Sequence, residues 1–333
     1  MRECIGTREL MVLDGLGVRL QGTYHRPAGG LSVATGAGDR VGVLFVNSLS
    51  LPRAASGDSA VHWANAIAAL GYPAFRIDLP GLGDSAGQAS TDLLDRINDG
   101  AFAPVAAGAI KELEDRFALS GVIVFGHCAG SVSAVYAGAA SSKCKGLILL
   151  DPYFHLPQAK RPRLRKELSG WARRSKLGGM LSNAYDRTRN VAMKVRGNTP
   201  PGNANMQLLE RWKQLTAAGI PVLLLKAPGI KAQGAKPRVG EFDYIDYVVK
   251  LAGRRTRVSA EFVEGADHSF ANRAGREAVQ KHISEWLGKN FPLFDHKSVK
   301  SNDLAKHASD EPVDLKESAA VSDEQCCALE AGK

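Results

Sequence analysis

The chain has 333 residues, with 43 Lys+Arg against 34 Asp+Glu (net +9), 44% hydrophobic and 7% aromatic residues. That apolar share excludes wholesale disorder, five cysteines are too few for a disulfide scaffold, and no window reaches the roughly 18 apolar residues of a membrane-spanning helix. The opening MRECIGTRELMVLDG has neither an apolar core nor a small-residue cleavage site, so the expectation is a cytoplasmic protein without a signal peptide.

The first 25 residues alternate apolar and polar, which predicts an antiparallel hairpin with Asp14-Gly15 near its turn. VGVLFV (41–46) is a short, continuous apolar run and predicts a buried strand. A helix is expected from an N-cap at Asp58 to Leu70, stopped by Gly71. Then come a strand at Pro73–Ile77, a helix near Ala101–Phe117, a strand at Val122–Phe125, a small-residue helix to about Ala140, and a strand at Leu147–Leu150. The pattern breaks after Pro152. It resumes with a helix near Met206–Ala218, a strand at Val222–Leu225, a helix near Phe242–Leu251, a strand at Val258–Val263 and a helix at Arg276–Leu287. Strands alternating with helices predict an α/β fold, a mostly parallel sheet with helices on both faces. The expected division is a core at 1–152, an inserted cap at 153–205, the second part of the core at 206–296, and a disordered tail at 297–333.

The charge is concentrated in the cap. Between Lys160 and Arg196 stand twelve basic residues against Glu167 and Asp186, so the rest of the chain is nearly neutral. Such a run is either a solvated face or a docking surface for phosphates or an acidic partner. No zinc-finger spacing and no aromatic box accompany it, which argues against nucleic acid.

The most informative residues are Gly126-His127-Cys128-Ala129-Gly130, between the strand VIVF and the helix SVSAVYAGAA. A nucleophile on such a strained turn projects into a cleft, and the small residues two places either side let strand and helix approach. The helix N-terminus favours a thiolate, and the Ala129 N–H can meet a developing oxyanion. This stretch resembles the nucleophile elbow of the α/β-hydrolase superfamily, over roughly residues 10–290. Asp78-Leu79-Pro80-Gly81-Leu82-Gly83-Asp84-Ser85 is similar to the loop after the fourth strand of those enzymes, and Gly265-Ala266-Asp267-His268-Ser269-Phe270 to the loop that carries their catalytic histidine. The Leu149-Leu150-Asp151-Pro152 segment and a missing His-Gly pair resemble hydrolases from exopolysaccharide and exosortase gene neighbourhoods.

The resemblance implies Cys128 as nucleophile, in place of the usual serine, and His268 as general base and acid. The oxyanion donors would be the N–H groups of Ala129 and of Leu49 or Ser48. Asn47-Ser48 replaces the usual His-Gly pair and either adds a donor or caps a turn. The acid is open. Lys226-Ala227-Pro228-Gly229-Ile230-Lys231, after the strand that usually precedes it, holds no carboxylate. Asp243 is the first choice, although a helix N-cap is its plain alternative. Asp151, at the end of the preceding strand, is the other, and a Cys–His pair can dispense with a strong acid. His127 is read as packing. No pair of residues has metal-ligand spacing and no dinucleotide fingerprint is present, so no cofactor or metal is expected.

The expected function is therefore acyl handling, as a thioesterase, esterase or acyltransferase with an acyl-Cys128 intermediate. Coenzyme A, a phosphopantetheine arm, an acyl carrier protein or an anionic glycan would suit the basic cap. The alternative is a non-catalytic relative that binds an anionic ligand or partner. Haloalkane-type chemistry needs an aspartate nucleophile, which Cys128 argues against.

Overall fold

The computed structural model describes residues 7–29, 40–156, 200, 203–228, 243–253 and 256–293. The basic run 160–196, the tail from 297 and Glu241 lie outside the described residues.

Two strands open the fold, β1 (Arg8–Gly15) and β2 (Val18–His25), paired antiparallel. The turn residues are Leu16 and Gly17, at φ 53° and 85°, two places beyond the expected Asp14-Gly15. Positive φ at both central positions matches the right-handed twist of the flanking strands, and Asp14 Oδ1 accepts from the Gly17 N–H. Then follow β3 (Val41–Val46), α1 (Ser59–Ala69), β4 (Ala74–Ile77), α2 (Leu93–Asn98), α3 (Ala103–Phe117), β5 (Gly121–His127), α4 (Ala129–Ala140) and β6 (Cys144–Leu150). After the gap come α5 (Met206–Ala217), β7 (Val222–Lys226), α6 (Tyr244–Ala252), β8 (Val258–Phe262) and α7 (Arg273–Asn290). The short α2 had no counterpart in the sequence pattern. Asp58 occupies the N-cap position of α1, but in a left-handed conformation and without a side-chain capping bond.

The sheet has eight strands in the order β1-β2-β4-β3-β5-β6-β7-β8. β2 pairs antiparallel with both neighbours, and β3 to β8 run parallel. Alternation along each parallel strand divides the core in two. Leu44, Val124, Leu149 and Leu224 face α3, α4 and α5, where Ile110, Val132 and Trp212 cover them. Phe45, Phe125, Ile148 and Leu225 face α1 and α7, where Trp63, Ile67, Ile283 and Trp286 complete the second layer. The continuous apolar runs of β3 and β5 follow from being buried on both sides.

At the end of β5 the packing admits no extra atom. A Cβ on Gly126 would lie 2.2 Å from the Gly130 carbonyl oxygen, and one on Gly130 would lie 2.8 Å from that of Asn47. Gly288, near the end of α7, has nothing within 4 Å of the same position. Gly126→Ala is therefore expected to lower stability by about 1–3 kcal/mol through overpacking. Gly288→Ala should raise it by about 0.5–1 kcal/mol, because alanine loses less conformational freedom in a helix. Paired denaturant titrations measure both.

Candidate active site

The carboxyl ends of β5, β6 and β7 lie side by side, and each delivers one side chain to the same place. β5 ends at His127, and Cys128 follows at φ 51°, ψ −117°. A cysteine in this region is strained, and the surroundings fix it there. Its N–H donates to the Leu150 carbonyl (2.8 Å), and its own carbonyl accepts from the Ser131 N–H (3.0 Å). The Ser131 hydroxyl donates to the carbonyls of Gly126 (2.9 Å) and Leu150 (3.1 Å), tying the turn to β6. Ala129 is the first residue of α4, so its N–H has no acceptor within the helix.

β6 delivers Asp151, itself at φ 46°, with its N–H on the Leu225 carbonyl at 2.7 Å. The Asp151 carboxylate is buried, at 7% exposure, and is bracketed by two cations. Oδ2 bonds to His268 Nδ1, and Oδ1 is paired with Lys226 Nζ at 2.5 Å. Burial works against the charged carboxylate, but the bonds from His268 and Lys226 outweigh it and hold its pKa below the ordinary value. Lys226 is the last residue of β7, where the sequence shows a lysine in place of an acid.

His268 sits in the loop between β8 and α7. Its Nδ1 is on Asp151, and its ring neighbours the Cys128 side chain, with Nε2 the nitrogen left for the sulfur. The bond to Asp151, then the neighbouring Cys128, raise its pKa from 6.5 to about 10. The folded value lies above that of an unfolded histidine, so these interactions contribute fully to stability below about pH 6.5 and are lost as pH rises through about 10. The loop is shaped from within: Asp267 Oδ1 accepts from the Ser269 N–H (2.9 Å) and hydroxyl (2.6 Å), and Asn272 caps α7 through the Gly275 N–H at 2.7 Å.

Asp243, the first choice for the partner of His268, is elsewhere. Its exposed carboxylate caps α6 by accepting from the N–H groups of Ile245 (2.9 Å) and Asp246 (3.0 Å). An aspartate just before a helix is drawn to the free N–H groups there, and this one meets two of them through Oδ1. The carboxylate that meets His268 is Asp151. In the sequence Lys226 stands only in a stretch lacking a carboxylate, with no local partner to mark it. The parallel register that sets Leu150 beside Leu225 puts the next residues of each strand, Asp151 and Lys226, within reach of each other.

Leu49 lies beyond β3 at φ 48° in a turn closed by the Leu51 N–H on the Ser48 carbonyl (3.0 Å). Asn47 acts as a tie. Its amide donates to the Leu51 carbonyl (3.1 Å) and Asp78 Oδ1 (2.7 Å), and its oxygen accepts from the Leu79 N–H (2.8 Å). Asp78, fully buried, also pairs with Arg53, and a Cβ on Gly83 would fall 2.3 Å from its carboxylate. The 78–85 loop and the 47–53 loop are thus locked together beside the elbow. Across the site, the Tyr153 and His155 rings meet at a 59° tilt, 5.6 Å between ring centres. Burial, reinforced by the neighbouring Cys128, pushes the Tyr153 hydroxyl up to about 12.

The profile of one family fits this arrangement. Residues 43–280 match the model of the alpha/beta hydrolase family, most of the chain. The chain belongs to that family. Comparison of the sequence with curated proteins finds no match. Among solved structures, an esterase from Pyrococcus furiosus is similar over 86% of this chain and 92% of its own, at 12% identity and TM-score 0.54. DcsB in complex with its substrate analogue covers 86% and 100%, at 13% identity and TM-score 0.55. An acylaminoacyl peptidase from Pyrococcus horikoshii covers 88% and 43%, at 14% identity and TM-score 0.53. At these identities the likeness is one of hydrolase fold. Among the described residues no group of three or more His, Cys, Asp or Glu could hold a metal ion, and no helix is long and apolar enough to cross a membrane.

The two aspartates separate cleanly by experiment. Asp151→Asn should lower the pH at which the His268 imidazole titrates by at least about one unit, followed by NMR, since the largest cause of its elevation is removed. Asp243→Ala should leave that titration in place and cost about 1 kcal/mol as a lost helix cap.

Proposed function

We propose that this chain is an acyl-handling hydrolase, a thioesterase, esterase or acyltransferase, that works through an acyl-Cys128 intermediate. The observation that carries this reading is the bond from His268 to Asp151 beside the strained Cys128 turn at the carboxyl end of the sheet. The Cys128 sulfur attacks the substrate carbonyl carbon, and the carbonyl oxygen becomes an oxyanion held by the N–H groups of Ala129 and Leu49. His268 holds the proton given up by the thiol and passes it to the departing thiolate or alkoxide. Water or another acceptor then attacks the acyl-Cys128 thioester and yields its proton to His268. The acyl group departs, and the proton returns to the sulfur. Asp151, rather than Asp243, fixes the imidazole in the orientation that both steps use. Lys226 keeps Asp151 ionised without its having to take the imidazole proton.

A thiol suits this role because its acyl form is itself a thioester, open to attack by an amine or alcohol as well as by water. The basic run 160–196 and the Cys nucleophile both favour a thioester donor with an anionic carrier, such as coenzyme A or an acyl carrier protein.

Intact-protein and peptide mass spectrometry with a panel of acyl-coenzyme A and acyl-pantetheine thioesters tests this. An acyl mass is expected on the Cys128 peptide and should vanish in Cys128→Ala. In His268→Ala its formation should slow by about a hundredfold or more, the lower end of what a positioned base contributes. Acyl turnover that survives in Cys128→Ala would overturn the mechanism. A Cys128 that stays unmodified by every donor and by iodoacetamide would favour the reading as a non-catalytic relative that binds an anionic ligand.

A further inference from the structure

His127 is the residue between β5 and the strained turn, and its side chain points away from Cys128 into the second core layer. It is 7% exposed. Its Nε2 lies 2.6 Å from the backbone carbonyl oxygen of His268. A carbonyl only accepts, so Nε2 carries the proton and Nδ1 is left as a bare acceptor. That Nδ1 is buried without a partner, beside a small cavity lined by Phe45, Ser48, Trp63 and Phe125. Burial holds the ring in its neutral form, the form with one donor and one acceptor. The ring also meets the His268 ring at 5.3 Å between centres and the buried Phe270 edge-on at 5.7 Å.

We infer that His127 is a positioning residue that clamps the His268 loop to the nucleophile turn. This rests on the function proposed above. Consecutive residues of one turn take hold of the same histidine by different handles. Cys128 meets its ring, and His127 holds its main chain. Asp151 orients the ring about its own bonds but leaves the loop backbone free to shift. The His127 bond fixes that backbone against the rigid end of β5. A lost clamp lets the base drift from the sulfur while the fold and the Asp151 pair persist. An ångström of drift is enough to cost catalysis dearly.

The experiment is the pH profile of Cys128 alkylation by iodoacetamide, read on the Cys128 peptide by mass spectrometry. Buried Cys144, whose thiol burial pushes up to about 12, serves as the unreactive internal standard. The panel is wild type, His127→Phe, His127→Asn, His127→Gln and His268→Ala, each with a thermal melt. His127→Phe keeps an aromatic ring but no donor. His127→Asn has a donor too short to reach. His127→Gln places an amide N–H near the original Nε2. In the first two, alkylation at neutral pH should slow by about tenfold across the profile, as the base drifts from the sulfur, and His127→Gln should restore it. A His127→Asn profile that overlays wild type would overturn the clamp, even if His127→Phe fails to fold. If His268→Ala also leaves the profile in place, the thiol–imidazole mechanism itself fails. If His268→Ala moves it and His127→Asn does not, the clamp alone fails.

Discussion

A buried carboxylate must be paired, and Asp151 organises the site by meeting that requirement twice. Removing a lone carboxylate from water costs several kcal/mol, so the fold keeps Asp151 ionised only by supplying opposite charges. One is the His268 imidazolium and the other the Lys226 ammonium at 2.5 Å. Each partner comes from a different part of the chain, so Asp151 joins the ends of β6 and β7 to the loop after β8. The imidazole proton is held by the same charge, with Cys128 on the far side of the ring. Losing Asp151 would leave Lys226 and His268 facing one another as like charges.

The scaffold around this pair trades flexibility for closeness. The approach of Gly126 to Gly130, and of Gly130 to Asn47, leaves no room for a methyl group. That closeness lets Ser131 bond to two strands at once and keeps Cys128 in a conformation it would not choose alone. A second locked unit stands beside it, where Asn47, Arg53 and Asp78 bind two loops together. The turn carrying Leu49 therefore starts from a fixed base.

Much of this was legible in the sequence because apolar runs and glycine spacing report local geometry directly. The runs at β3, β5, β6 and β7 and the glycines at 126 and 130 sufficed to place Cys128, and the loop motif placed His268. Two things were not legible. The first was the partner of His268, since Asp243 and Asp151 both follow Cys128 and precede His268 in the chain. Only the three-dimensional neighbourhood of the strand ends separates them, because a carboxylate before a helix has a local use that competes with any distant one. The second was the part played by buried polar groups. Lys226 and His127 look like a solvated lysine and a packing histidine until the strands are set side by side.

The origin of that carboxylate has a consequence for how the protein can change over time. Where the partner of the base comes from the end of β7, the connection after it is tied to the chemistry and cannot freely gain or lose residues. Here the partner comes from β6, and the β7 end contributes a cation. The connection leaving β7 is released from supplying a reacting group. On the function proposed above, insertion and drift in that connection would leave Cys128, His268 and Asp151 in place, so its length and the chemistry can evolve on separate segments of the chain.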